Sequence, residues 1–174
     1  MLYYVTSNDF KFSGAVKRVK NYGIELTQAR LALEEIQSYS IEEIATKKAI
    51  FAFDQLKKPL LVSDIGWNIL ALGGFPGAFM SYIDSWLSTE NFLKLMEGLE
   101  DRRIILTQVI VYKDKHQSKV FEHTIQGVIL EEGGETDYKS IDPIVSFRSD
   151  KKSLTQARIE EIPTRTRRSN HGHE

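Results

Sequence analysis

The fold of this chain is decided by the stretch Val62-Ser63-Asp64-Ile65-Gly66-Trp67, which is followed by Leu72-Gly73-Gly74-Phe75-Pro76-Gly77. Leu60 to Ser63 has the apolar character of a buried strand, which we expect to deliver the carboxylate of Asp64 into a loop. The glycines that follow leave backbone without side chains, so another molecule can approach it closely. The pattern therefore predicts a functional edge at this end of a sheet. The alternative is that Asp64 only caps a turn.

Length, composition and charge limit the class of protein. With 174 residues, of which 41% are hydrophobic and 27% charged, the chain is long enough to bury a core. The formal net charge of -1 removes any general electrostatic attraction to nucleic acid or to an anionic membrane. The absence of cysteine excludes disulfides, thiol catalysis and thiolate metal ligands. No apolar run has membrane-spanning length and no export signal is visible, so we expect a cytoplasmic protein without nucleic acid or membrane partners.

Strand and helix patterns alternate along the chain, which predicts an α/β fold. We predict strands at 2–5, 24–26, 60–63, 104–112 and 119–130, and helices at 13–22, 41–56, 78–87 and 90–99. The last two strands are expected to form an antiparallel hairpin, and Thr89 is expected to cap the helix at 90–99. We expect a single domain at 1–164, with a disordered polar tail at 165–174.

The helix predicted at 41–56 is the clearest local signal. Ser40 and Glu43 have the spacing of a capping box, in which the Glu side chain reaches back to the Ser backbone. Apolar residues then recur at helical spacing, and Lys48 falls on their stripe where an apolar residue is expected. A cation on such a stripe requires an anion, unless its stem packs there and its amine extends to solvent. Lys48 is therefore a candidate binding residue.

A set of short motifs extends over nearly the whole chain. The motifs are Thr6-Ser7-Asn8 followed by Lys11, Glu43 with Lys48, Ser63-Asp64-Ile65-Gly66, Leu72 to Gly77, Glu100-Asp101-Arg102-Arg103 and Asp142-Pro143-Ile144. Their order and spacing resemble the inosine-triphosphate pyrophosphatase family. The resemblance implies an elongated mixed sheet flanked by helices, with two lobes and a cleft between them, and a homodimer. It also implies Mg2+-dependent hydrolysis of an aberrant purine nucleoside triphosphate to the monophosphate and pyrophosphate.

The resemblance also implies a role for each matched position. Asp64 is expected to be catalytic by taking a proton from water, and Asp64 and Glu43 are expected to bind Mg2+. The residues expected to bind the substrate are Thr6, Ser7, Asn8, Lys11, Lys48, Gly66, Gly74, Phe75, Asp142 and Arg168. The residue types suit the task, because a triphosphate is bound by cations and by the N–H groups at the start of a helix. The alternatives are that Asn8 only turns the chain, Lys11 is solvated and Glu43 only caps its helix.

The chain departs from the family pattern where the base is expected to bind. Ser63 stands where a second acid is common. The aromatic residue expected to stack on a purine is missing from Lys139-Ser140-Ile141-Asp142-Pro143. Tyr138, one residue earlier, takes this role only if the loop shifts. Near the C-terminus, the family pattern has lysine, asparagine and histidine where this chain has Ile162, Pro163 and Arg167. The arginine that ends the pattern is retained as Arg168. We therefore expect altered or relaxed base specificity. The alternative is a catalytically weak relative that acts as a nucleotide-binding or protein-interaction module.

Overall fold

The computed structural model describes residues 1–133 and 141–161, with side chains in the last helix described as far as residue 157. The strands are β1 (Leu2–Val5), β2 (Leu26–Ala29), β3 (Leu60–Ile69), β4 (Pro76–Gly77), β5 (Arg103–Lys113), β6 (Ser118–Ile129) and β7 (Val145–Ser146). The α-helices are α1 (Asp9–Val19), α2 (Ile41–Leu56), α3 (Met80–Ile83), α4 (Thr89–Leu95) and α5 (Leu154–Glu161). The predicted α/β class is confirmed.

The strands form one mixed sheet. Its order is β2-β1-β3-β5-β6-β7, and β4 pairs with β3 outside this path. β1 runs parallel to both β2 and β3, with Tyr3 opposite Thr27 on one side and Leu60 on the other. β4 is antiparallel to β3, and β7 is antiparallel to β6. The parallel part of the sheet places the ends of β1 and β3 at the same edge, as βαβ connections require.

The chain divides into two compact units, of which the first contains residues 1–66 and 107–124. Its core is formed by three alanines of α2 packed against apolar residues of the sheet. The core residues are Ala45, Ala49, Ala52, Val5, Leu60, Val62, Val109 and Val111. The small alanine side chains let the helix backbone lie close to the strands. α2 begins after Ser40, whose hydroxyl accepts a hydrogen bond from the Glu43 N–H at 3.1 Å, so the prediction of a helix at 41–56 is confirmed.

The second unit contains residues 67–106 and 125–174. Phe92 of α4 is fully buried, and its ring centroid lies 6.4 Å from that of Phe75. The Arg102 guanidinium donates hydrogen bonds to the backbone carbonyls of Ile129 and Leu130 at 2.8 and 2.7 Å. Because a guanidinium that satisfies two carbonyls fixes both segments, Arg102 has a structural role in this unit.

Two predictions about β3 and its loop are corrected. β3 was expected to stop at Ser63, but it continues to Ile69, so Asp64 lies inside the strand and not at its end. The strand continues because Trp67 and Asn68 pair with the residues of β4 after the chain turns back. The turn itself contains Gly73 and Gly74 at positive φ angles of 64° and 94°, which favour glycine.

Other helix and strand boundaries also differ from the prediction. α1 begins at Asp9 and not at 13, because the side chain of Asn8 caps it. Ser88, not Thr89, caps α4, through a capping box in which Ser88 and Asn91 bond each other's backbone. β2 lies at Leu26–Ala29 rather than 24–26, and only Met80–Ile83 of the helix predicted at 78–87 is α-helical. The hairpin strands predicted at 104–112 and 119–130 are confirmed within one residue at each end as β5 and β6.

The predicted tail at 165–174 lies outside the described residues. None of the helices in residues 1–133 and 141–161 combines the length and hydrophobicity that a bilayer crossing requires.

Candidate active site

The loop between β1 and α1 is ordered by side-chain hydrogen bonds to its own backbone. Thr6 Oγ1 accepts a bond from the Asn8 N–H at 3.1 Å, and Asn8 Oδ1 accepts one from the Lys11 N–H at 2.9 Å. Asn8 therefore caps α1, a structural role other than the chain turn considered as its alternative. Ser7 and Asn8 remain exposed at the positive end of the helix dipole. Substrate binding by Thr6, Ser7, Asn8 and Lys11 stays a prediction.

Lys48 lies between two carboxylates. Its Nζ atom is 2.7 Å from Asp64 Oδ1 and 2.7 Å from Glu35 Oε1. The Lys48 side chain is only 12% exposed, compared with 19% for Asp64 and 52% for Glu35. The amine therefore does not extend to solvent, and the cation on the apolar stripe has the anionic partners that its position requires. These three side chains, Glu35, Lys48 and Asp64, are called the acid–lysine cluster below.

The second carboxylate oxygen of Asp64 is unusual. Oδ2 is buried and has no hydrogen-bond partner among the described residues. Leaving a buried polar atom unsatisfied costs about 1–3 kcal/mol, so native structures keep few such atoms. A water molecule, a ligand or a cation bound at Oδ2 removes this cost. The cluster thus presents one unsatisfied acceptor beside the half-exposed carboxylate of Glu35.

The cluster also changes the protonation equilibria of its members. Burial raises the pKa of Asp64 above its ordinary value, although the charge and hydrogen bond of Lys48 and the charge of Lys11 act in the opposite direction. Burial alone would lower the pKa of Lys48, but the charges and hydrogen bonds of Asp64 and Glu35 together raise it. Lys48 is therefore an ammonium at neutral pH, while Asp64 is more basic than an ordinary carboxylate.

Glu35 is the member of the cluster that the sequence did not predict. It lies in the segment 30–40, which contains no helix or strand and has a short alternation of apolar residues at Leu31 and Leu33. An alternation this short, outside a strand, does not fix the direction of the side chain at position 35. The available signal was indirect, because Lys48 on the buried stripe required an anion from some other part of the chain.

Glu43 occupies the first turn of α2, as predicted, but its contacts differ from those expected. Its carboxylate accepts a hydrogen bond from Ser38 Oγ at 2.6 Å. The Ser40 N–H donates to Ser38 Oγ at 3.0 Å, so the structural alternative, in which the Glu43 side chain accepts the Ser40 N–H of a capping box, is not realised. Glu35 is the acidic residue whose charge raises the pKa of Asp64. Metal binding by Glu43 stays a prediction.

Ser63 stands where a second acid is common in the family pattern. Its side chain bonds Tyr4 of β1. It is 8% exposed, and its hydroxyl lies 2.5 Å from the phenol oxygen of Tyr4 on β1. Burial raises the pKa of Tyr4, so the phenol stays neutral. The pair is therefore an uncharged hydrogen bond beside Asp64 and adds no negative charge to the cluster.

The glycine-loop residues predicted to bind substrate have local structural roles in this conformation. Gly66 is buried within β3. Gly74 has a φ of 94°, and a Cβ atom added there would lie 3.6 Å from Asn68 Oδ1. Phe75 packs its ring against Phe92. Their participation in substrate binding stays a prediction.

The remaining predicted residues belong to the C-terminal part of the chain. Asp142 is 2% exposed and begins a short 3-10 turn, Asp142–Ile144. Arg168, predicted to bind substrate, and Tyr138, considered as a stacking residue, lie outside the described residues. The base-recognition part of the predicted site is thus described only at Asp142.

Comparisons with known proteins identify the family of the chain. The model of the Ham1 family matches residues 2–169, and the chain belongs to this family. A relative from Methanopyrus kandleri, named dITP/XTP pyrophosphatase, is 33% identical over 159 residues, which is 91% of this chain and 85% of the relative. A Methanosarcina mazei protein of the same name is 35% identical over 145 residues, covering 83% of this chain and 79% of the relative.

A solved structure supports the same assignment of fold. The HAM1 protein from Coxiella burnetii superposes with a TM-score of 0.74 at 22% identity, and the match covers 90% of this chain and 87% of that chain. The mixed sheet and its flanking helices are therefore the fold of the family.

Proposed function

We propose that this protein hydrolyses a nucleoside triphosphate to the monophosphate and pyrophosphate with the aid of Mg2+. Relatives named dITP/XTP pyrophosphatase that share about four fifths of their length with this chain support the reaction type. The observation that carries the proposal is the acid–lysine cluster, in which Asp64 has a buried unsatisfied oxygen next to a charged Lys48. An acceptor and a cation at one place fit a reaction in which a polyanion is attacked by water.

The donor atoms of the cluster fit Mg2+. This ion prefers oxygen ligands and usually takes one or two carboxylates from the protein, together with substrate phosphates. Asp64 supplies Oδ2, which has no protein partner among the described residues, and Glu35 supplies a half-exposed carboxylate. Glu43 is a further candidate ligand by family resemblance. When bound, Mg2+ would neutralise part of the triphosphate charge.

The chain's own residues account for the proton and the charge. The oxygen of a water molecule forms a bond to the α-phosphorus, and the bond from that phosphorus to the bridging oxygen breaks. The water proton goes to Asp64, whose raised pKa makes it a better acceptor at neutral pH than an ordinary carboxylate. The electron pair of the broken bond leaves with pyrophosphate, whose negative charge is attracted by Lys48 and Lys11.

We further propose that base specificity is altered or relaxed relative to the family. The support is the set of replaced positions around 138–143 and 162–167, where the expected aromatic, lysine, asparagine and histidine residues are missing. A polar group placed against a base edge discriminates strongly, because a wrong base leaves it unpaired. A site without these groups discriminates less.

The experiment is a panel of canonical and deaminated purine and pyrimidine nucleoside triphosphates with Mg2+, in which pyrophosphate release is measured. Asp64→Asn should reduce kcat by at least about a hundredfold, because proton acceptance and a metal ligand are both lost. The matched control is Asp54→Asn, since Asp54 is exposed and forms an ion pair with Lys57 in the same unit. The absence of turnover with every nucleotide would refute the proposal.

A nucleotide-binding module without turnover is the second candidate function. The observation that favours it is Ser63, which bonds Tyr4 and leaves the strand with one carboxylate where a second acid is common in the family. Isothermal titration calorimetry separates the two functions. Tight binding of a triphosphate that stays intact over hours supports the module.

We also propose that the protein is a homodimer, as the family resemblance implies. Its support in the structure is two exposed aromatic side chains four positions apart in sequence, Tyr82 in α3 and Trp86 in the turn after it, with Tyr82 43% and Trp86 71% exposed. Large apolar side chains grouped on a surface are typical of protein interfaces.

A further inference from the structure

The end of β2 is joined to the β1–α1 loop by side chains that the motifs did not identify. Gln28 Nε2 donates to the backbone carbonyl of Thr6 at 3.1 Å and to Asp9 Oδ1 at 3.0 Å. Arg30 Nη1 donates to the backbone carbonyl of Ser7 at 3.2 Å, and Arg30 Nη2 forms an ion pair with Asp9 Oδ1. Gln28 in β2 and Arg30, the residue directly after it, thus hold the β1–α1 loop that we propose to bind the triphosphate.

The position of Asp9 gives the Arg30 ion pair an electrostatic consequence. Asp9 is the first residue of α1, where a carboxylate interacts favourably with the helix dipole. The same negative charge repels a polyanion that approaches the loop, since both compete for the positive end of the helix. Arg30 places a permanent positive charge directly on this carboxylate.

Stability alone does not explain this pair. The side chains of Arg30 and Asp9 are 57% and 72% exposed, and exposed ion pairs contribute little to folding. Two exposed ion pairs elsewhere, Arg103–Asp101 and Arg148–Asp150, join residues only two positions apart in sequence. The Arg30–Asp9 pair instead connects the residue after β2 to the first residue of α1 across 21 positions, and the same guanidinium contacts the Ser7 carbonyl in the loop.

We propose that Arg30 is a positioning residue for the triphosphate, which neutralises Asp9 and fixes the Ser7 carbonyl so that the loop accepts a polyanion. The inference deepens the proposed function and rests on it. Arg30 acts through Asp9 and the loop, and it does not take part in proton transfer at Asp64.

The role of the Asp9 charge can be tested with single and double substitutions. Arg30→Gln should raise KM for the nucleotide about five- to tenfold and change kcat by less than about twofold, because one uncompensated charge remains at the loop. Asp9→Asn combined with Arg30→Gln should restore most of the lost affinity, since the repelling charge is removed together with its counter-ion. Raising the salt concentration should reduce the difference between Arg30→Gln and the unchanged protein.

Arg103→Gln is the matched control, because Arg103 is 55% exposed and also pairs with an aspartate, in the other unit. It should leave KM unchanged. Calorimetric titration with inorganic triphosphate measures the same loop without turnover, so the inference is tested even if the protein hydrolyses no nucleotide. The inference is overturned if Arg30→Gln binds inorganic triphosphate as well as the unchanged protein does. It is equally overturned if the Asp9→Asn, Arg30→Gln protein binds as weakly as Arg30→Gln alone.

Discussion

Removal of the Lys48 charge is expected to move the pH dependence of the reaction. Lys48 donates a charge-assisted hydrogen bond of 2.7 Å to Asp64, and such bonds contribute about 1.5–3 kcal/mol. At about 1.4 kcal/mol per pKa unit, Lys48→Met should raise the pKa of Asp64 by a further one to two units or so. Asp64 accepts a proton only when ionised, so activity is present above its pKa and is lost as the pH falls through it. The acidic limb of the kcat/KM profile should therefore shift to higher pH by about the same amount.

The assay is pyrophosphate release with Mg2+ from about pH 5 to 9, with the Asp64 carboxyl carbon titrated in parallel by NMR. Lys48→Arg keeps the positive charge, so the acidic limb of its kcat/KM profile should stay near its original pH. The control Lys57→Met removes an exposed lysine that pairs with Asp54, and it should change neither measurement. The reasoning would be refuted if Lys48→Met lowers the rate but leaves both the acidic limb of the pH profile and the NMR titration of Asp64 unchanged. It would mean that Lys48 acts on the substrate alone.

The remaining predictions concern the metal and the assembly. Glu35→Gln should raise the Mg2+ concentration needed for half-maximal pyrophosphate release about tenfold or more, because a carboxylate ligand is lost. Glu34→Gln, a change at the exposed neighbour, should not, and an equal effect of both would contradict the role of Glu35. Trp86→Ser should shift the protein from dimer to monomer in sedimentation velocity, since it removes an exposed aromatic anchor. A dimer of unchanged affinity would exclude this face.

The fold was largely predictable because its core elements carry strong local patterns. The helix at 41–56 has a capping serine and an apolar stripe, and both are realised at Ser40 and at the buried alanines. The predicted ends of helices and strands were wrong where a local pattern is compatible with two structures. Asn8 could end a loop or cap a helix, and its hydrogen bond to the Lys11 N–H extends α1 to Asp9. β3 passes through Asp64 and Gly66 because β4 pairs with its far end, a contact that no local pattern encodes.

The candidate site was predictable only in part, for a related reason. Lys48 and Asp64 were selected because each breaks or ends a local pattern, and the structure brings them within 2.7 Å of each other. Glu35, Gln28 and Arg30 lie in segments whose side-chain directions depend on tertiary contacts. A charged residue in an irregular segment is by default solvated, and only the short alternation of Leu31 and Leu33 separates Glu35 from Glu34 in the local sequence. The contact of Glu35 with Lys48 appears only when α2 and β3 are packed together.

The packing of the first unit and the chemistry of the cluster depend on the same contact. Lys48 lies between Ala45 and Ala49, which are fully buried against the sheet, so its stem starts close to β3. Larger side chains at these positions would move the helix outward, because a close-packed core transmits a change of volume to its neighbours. Such a movement would lengthen the Lys48–Asp64 contact and leave a buried carboxylate without its counter-ion. The alanines therefore contribute to the electrostatics of Asp64 although they carry no charge, and the core of this unit is also the support of its site.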